Sequence, residues 1–232
     1  MKRIIAALAL VLTLALPGMA AAEGTGMYLA PKFLMSIQST GNTERTDALA
    51  GSGVDSYSQF TLGGAFALGY DFWPQQMLPL RAEIEFALRG NNEKTWSDGG
   101  QYINEVKGTW NSSTLFANLF WDFHNDTAFT PYIGGGIGLG FLRTKYELEV
   151  AASAHGQTAS ISDSFSETHT VFAWNAGAGC SYAFNENFSA DLAYRFVGLS
   201  YSETEKNLLG SKEKIGMAPY ANEFSLGLRY TF

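Results

Sequence analysis

Eight charged residues stand on the polar phase of stretches that otherwise alternate with apolar side chains: Lys32, Arg81, Glu83, Glu85, Asp122, Asp191, Arg195 and Arg229. Four are cations and four are anions, so the set is neutral. In a narrow interior such groups must pair and hydrogen-bond to offset their desolvation. Two chemistries fit them: a structural polar plug, or a filter that selects ions or small solutes. Catalysis is poorly served. The three histidines are His124, His155 and His169. Ser166 and Glu167 lie close to His169 in sequence, but neighbouring strand residues point to opposite faces and do not converge on a substrate. No His/Cys grouping has metal-ligand spacing, so neither a metal nor a cofactor is expected.

The glycine run IGGGIGLG, residues 133–140, invites comparison with a dinucleotide fingerprint. Counting from Gly134, the third glycine of that motif falls on Leu139, and the run continues a strand where the motif opens a helix. Its glycines instead leave room for bulky residues such as Phe120 across the interior.

The elements that carry these charges are strands. In residues 220–232, Phe224, Leu226, Leu228, Tyr230 and Phe232 share one face, and Ser225, Gly227, Arg229 and Thr231 the other. A two-residue period of this length is a strand with one apolar and one polar face. The same alternation marks residues 27–39, 58–72, 80–89, 109–124, 129–149, 168–184 and 188–201. In residues 80–89, Arg81, Glu83, Glu85 and Arg89 oppose Leu80, Ala82, Ile84, Phe86 and Leu88. Eight strands result, joined alternately by short turns (73–79, 125–127, 185–187) and by long polar loops at 40–56, 90–108, 151–166 and 202–219.

Residues 1–22 have the parts of a secretory signal: Lys2-Arg3, an apolar run, Pro17-Gly18, and small residues at 20–22. The apolar run is too short for a spanning helix, which needs about 20 residues. No cysteine follows it, which excludes a lipoprotein. Residues 23–232 then form one β domain. Its lone cysteine, Cys180, permits no internal disulfide. The chain's net charge is −7, and loss of the two leader cations takes it to −9. Nucleic acid, which calls for a basic patch, is not an expected partner.

Alternation of short turns and long loops, an even strand count and an export signal together predict an all-β fold. It is an eight-stranded antiparallel transmembrane up-and-down β-barrel with short periplasmic turns and four long extracellular loops. Aromatics support two interfacial girdles. Phe72, Trp73, Trp121, Phe123, Phe129, Tyr182, Phe184, Phe188, Tyr230 and Phe232 gather at the short-turn end. Tyr57, Trp110, Tyr146 and Tyr201 mark the other. Eight strands leave an interior only wide enough for side chains to fill.

The segments GMYLAPKFLMS, LFANLFWDF, FTPYIGGGIGLGF, FAWNAGAGCSYAFNENFSADLAYRF and FSLGLRYTF resemble the outer-membrane β-barrel domain family. That family includes the opacity-type porins and adhesins and the OmpA-type transmembrane domain. The resemblance implies a Gram-negative outer-membrane protein in contact with membrane lipid and lipopolysaccharide. It implies that Leu226, Leu228, Tyr230 and Phe232 form the signal read by the barrel-assembly machinery. It also implies that Lys32, Glu83, Glu85, Arg195 and Arg229 match the family's interior charges. Nothing follows Phe232, so no peptidoglycan-binding domain is expected. The function expected is a non-enzymatic surface protein whose four loops meet a host or envelope ligand, for adhesion or envelope integrity. A small-solute channel is the alternative, and a lipid-modifying barrel enzyme the third.

Overall fold

The computed structural model describes residues 24–41, 43–45, 58–96, 105–154, 157–208 and 211–232. The expected signal at 1–22 lies outside them. The strands are β1 (Met27–Ser39), β2 (Thr43–Arg45), β3 (Ser58–Asp71), β4 (Leu80–Arg89), β5 (Asn92–Trp96) and β6 (Glu105–Asp122). They continue with β7 (Phe129–Ala154), β8 (Gln157–Ala183), β9 (Phe188–Leu199), β10 (Ser202–Leu208), β11 (Ser211–Met217) and β12 (Tyr220–Thr231).

Eight of these, β1, β3, β4, β6, β7, β8, β9 and β12, pair in one antiparallel ring. The ring closes because β1 pairs with β12, from Tyr28↔Thr231 to Ser39↔Tyr220. Backbone bonds at its foot, Gly24 N–H to Phe232 O and Phe232 N–H to Met27 O, are both 2.9 Å. The ladder lapses at Ala30 and Pro31. Proline has no N–H to give there.

Alternation explains the wall. On β4, Ile84 is 56% exposed while its neighbours Glu83 and Glu85 are 4% and 0% exposed. The apolar face therefore points out and the charged face in, the reverse of a water-soluble protein. Exposed Phe33, Leu62, Leu68, Leu119, Ile137, Leu192 and Leu226 make the outer surface a continuous apolar band.

The short turns are held by local bonds. Asn125 Oδ1 accepts from Thr127 N–H at 2.9 Å, and Asn185 Oδ1 accepts from Phe188 N–H at 2.8 Å. Asparagine suits such turns because its side chain can mimic a backbone turn. The third turn holds a single helical turn, α1 (Trp73–Gln76), with Pro in its first turn and Met77 at φ 53 closing it.

The long-loop end departs from expectation. Residues 151–166 were expected as a loop, yet β7 and β8 remain paired to Ala154↔Gln157. Residues 202–219 form a hairpin, β10–β11, and β11 pairs with β2 from the expected loop at 40–56. Of 90–108, both ends are strand, with β5 paired to β6. Only 42, 46–56, 97–104, 155–156 and 209–210 of these segments lie outside the described residues. The sequence masked these strands because a ladder standing in water needs no apolar face. Its Ser and Thr then read as loop although Thr favours strands. Trp110 also moves: it was expected in an outer girdle, but it is buried inside on the phase of Ser112 and Thr114. Tyr57 lies outside the described residues.

Glycine placement answers the question left by residues 133–140. A Cβ on Gly134 would lie 2.3 Å from the ring of Phe120. Phe120 pairs with Gly134 on the adjacent strand, so it is a side-by-side neighbour and not one from across the interior.

Ile84→Arg places a charge on the lipid face near mid-strand. It should cost about 2–4 kcal/mol in urea unfolding from lipid vesicles. Asn125→Asp, in an exposed turn, should change the same unfolding curve little. Equal curves for the Ile84 variant and the parent would refute the outward assignment.

Candidate functional site: the charged interior

Inward positions of β1, β4, β9 and β12 bring their charges into one connected ladder. Arg89 Nε lies 2.6 Å from Glu223 Oε1, and Glu223 Oε2 lies 2.8 Å from Arg195 Nε. Arg195 Nη1 continues to Glu85 Oε1 at 2.6 Å. Lys32 Nζ then bridges Glu85 Oε2 at 2.7 Å and Glu83 Oε1 at 2.6 Å. Cations and anions alternate along the whole run, so no charge faces a like neighbour without an opposite one between them.

Neutral groups finish the coordination. Ser36 donates to Glu223, Tyr28 donates to Glu83 at 3.1 Å, and Arg89 Nη1 donates to Thr114 at 3.1 Å. Asn118 donates to Glu83 at 3.4 Å and accepts from Asn175 at 2.9 Å. The Arg195 guanidinium lies 5.8 Å from the ring centre of buried Phe116. Buried ion pairs survive where remaining lone pairs and protons also find partners, and most do here.

Two further arginines sit nearer the short turns. Arg81 grips Asp122 with two bonds, 2.6 and 2.9 Å, a fork-to-carboxylate match that fixes orientation. Its guanidinium lies 4.7 Å from the Tyr132 ring and 5.0 Å from the Phe120 ring. Arg229 donates to Ser189 at 3.0 Å and Ser181 at 2.7 Å, and stands 3.7 Å from Asp191. The side chains of Lys32, Arg81, Glu83, Glu85, Asp122, Asp191, Arg195 and Arg229 are all at most 13% exposed. Lys32, Glu83, Glu85 and Arg195 stand in the ladder, Arg81 pairs with Asp122, and Arg229 stands 3.7 Å from Asp191.

Two members of the ladder were absent from the expected set. Glu223 precedes Ser225 by two residues and so shares its inward phase. Arg89 ends the row Arg81, Glu83, Glu85. Strand phase alone would have added both. The apolar contents of the interior carried no such signal. Trp110, Phe116, Leu142, Ala173, Val197, Leu199 and Ala221 form one buried cluster. Along each strand these residues lie nearer the long-loop end than that strand's charges, except where Glu223 and Arg89 reach alongside. Above the ladder the interior is mixed: the apolar cluster sits beside the buried, hydrogen-bonded Gln38, Thr61 and Ser112.

The terminal positions Leu226 and Leu228 are exposed on the outer wall. Tyr230 packs between Phe188 and Phe232, with both ring-centre distances 4.8 Å. His124 stacks on Trp73 at 3.9 Å near the short turns. Among the described residues, no group of three or more His, Cys, Asp or Glu is placed to hold a metal ion.

The sequence matches the outer membrane protein β-barrel domain over residues 6–232. The chain belongs to that family. Outer membrane protein PagN of Salmonella typhimurium is 33% identical over 183 residues, covering 73% of this chain and 72% of PagN. Among solved structures, OprG of Pseudomonas aeruginosa aligns over 90% of this chain and 96% of its own, with 14% identity and a TM-score of 0.53. Neisserial surface protein A aligns over 89% and 97%, with 14% identity and a TM-score of 0.50. At such identity these two structures establish the fold alone. As a member of this outer-membrane barrel family, the chain resides in the Gram-negative outer membrane. In barrels of this kind short turns face the periplasm and the longer connections the exterior.

Glu85 touches two cations, so Glu85→Gln leaves excess positive charge buried. It should destabilise the barrel by about 3–5 kcal/mol in urea. Because the pairs are shielded from solvent, raising salt should not restore the loss. Full recovery in high salt would mean that the ladder is open to bulk water.

Proposed function

We propose that the protein is a non-enzymatic surface barrel, a rigid scaffold that presents its extracellular strands and loops to a host or envelope ligand. The observation that carries this reading is that the interior is filled with side chains. A charge-neutral ladder occupies the lower part, and Trp110, Leu142, Val197 and Leu199 pack above it beside the hydrogen-bonded Gln38, Thr61 and Ser112. Chemistry available to the outside world is then confined to the extracellular extensions, where loops on a rigid frame usually carry recognition. The tall β7–β8 pair and the three-stranded sheet of β10, β11 and β2 support it by supplying a stiff platform.

The same filling counts against a channel. The interior of an eight-stranded barrel is only wide enough for its side chains, and here paired charges and packed residues occupy it. Purified barrel in planar bilayers should give no steady conductance. Bacteria displaying the full chain should adhere to epithelial monolayers or matrix proteins. A variant with 40–56, 90–108, 151–166 and 202–219 replaced by short turns should fold and lose that adhesion. Undiminished adhesion after trimming would overturn the reading, and regular single-channel steps from the parent would favour the channel.

Two parts of the reading concern how the barrel reaches its place. Residues 1–22 act as a cleaved export signal, and Leu226, Leu228, Tyr230 and Phe232 act as the assembly signal. The outward phase of those four residues supports the second. Deleting Phe232 should lower insertion in cells far more than refolding in short-chain lipid. Equal insertion in cells would leave Phe232 as one more lipid-facing ring.

A further inference from the structure

The outer wall is not evenly filled. An apolar groove of about 520 Å³ crosses β6, β7 and β8, and the exposed Leu119, Ile137 and Trp174 form its sides. Ala117 and Gly135 form its floor. Gly135 pairs with Leu119 on one side and with Ala176 on the other, so no side chain rises between them. A Cβ at Gly135 would lie 2.9 Å from the Asn175 carbonyl oxygen, which disfavours any larger residue at that point.

Further along β7 toward the long loops, on the same outward phase, stands Arg143. It is exposed, and no ion pair or hydrogen bond engages it among the described residues. Its partners in register are Asn111 on β6 and Thr168 on β8. Neither is acidic, and the exposed Thr170 lies on the same face of β8. From Ile137 to Arg143 the strand advances six residues, about 20 Å. At a tilt of about 40° this is a rise of about 15 Å, half the thickness of the hydrocarbon layer. A free cation at the level of the outer headgroups thus stands one leaflet's depth above an apolar groove.

From this placement we propose that the outer wall of β6, β7 and β8 is a binding site for one phosphorylated, acylated glycolipid of the outer leaflet, of the lipid A class. Arg143 holds a phosphate, Asn111, Thr168 and Thr170 meet sugar hydroxyls, and one acyl chain ends in the groove. A guanidinium presents its donors in a fork that matches phosphate oxygens. Amide and hydroxyl side chains both donate and accept, as a hydroxyl-bearing headgroup requires. A phospholipid supplies the phosphate without the sugar ring and answers only part of the site. A second copy of the barrel is a poorer occupant. A twofold contact through this face would bring two copies of Arg143 to one surface with no described acid between them. The proposal does not depend on what the extracellular loops bind.

Native mass spectrometry of the refolded barrel, offered lipid A and phosphatidylglycerol in equal amounts, tests the site. The parent should retain one lipid A per barrel in preference to the phospholipid. Arg143→Ala should lower that retention about tenfold, the loss of one charge-assisted contact. Ala117→Leu, which fills the floor of the groove, should lower it as well. Both positions are exposed on the wall, so the urea unfolding curves of the two variants should match the parent's. Equal retention of the two lipids by the parent would overturn the proposal, and so would undiminished retention in either variant. A second measurement needs no variant: lipid A stripped of its phosphates should compete poorly with the intact lipid on the parent. Equal competition would remove the phosphate contact and the proposal with it. Barrel dimers that exclude lipid A would assign the groove to a second copy instead.

Discussion

Every backbone N–H and C=O inside a hydrocarbon layer needs a partner within the protein, since no water is there to supply one. That requirement is the constraint on which the rest of this structure depends. It forces the strands to close, and closure rests on the pairing of the first strand with the last. It also fixes the inside-out pattern of the side chains. Once the wall is a single ring, each strand has one face in lipid and one in an enclosed space. Polar residues then have only the interior left to occupy.

That interior solves a second problem, which is the cost of taking charges out of water. Within the ladder no pair stands alone. Glu85, Glu223 and Lys32 each meet two opposite charges, and hydroxyls and amides of Tyr28, Ser36, Thr114 and Asn118 take up remaining valences. The aromatic rings beside Arg81, Arg195 and Arg229 pack against guanidinium planes, which are weakly hydrated and tolerate such surfaces. Glycines opposite Tyr28, Phe120 and Tyr132 make space for those rings, since a Cβ at Gly69, Gly134 or Gly179 would collide with them. The small residues on one strand and the large ones on the next are parts of one packing arrangement.

The extracellular half obeys different rules. Above the bilayer both faces of a strand can meet water, and there β7 stays paired with β8 and β10 with β11. A barrel whose interior is filled by paired charges and packed side chains is stiff at its base. Such a base is what a platform for recognition requires, because a rigid frame lowers the ordering cost of any contact its loops make.

The sequence by itself determined the eight wall strands, their phase and the short turns. Each rests on local chemistry: a period of two, an Asn or Pro at a turn, an apolar run of strand length. It also placed Lys32, Arg81, Glu83, Glu85, Asp122, Asp191, Arg195 and Arg229 inside, because phase is set within a strand. Tertiary structure alone decided which charge meets which. Arg89 and Glu223 are 134 residues apart, and only ring closure and strand stagger bring them to 2.6 Å. It alone set the apolar cluster, since Trp110, Leu142 and Leu199 come from three strands and no one of them shows a pattern. The extracellular ladders were illegible for a related reason. Lipid imposes alternation on a sequence, and where the lipid ends the chain is free to pair without advertising it.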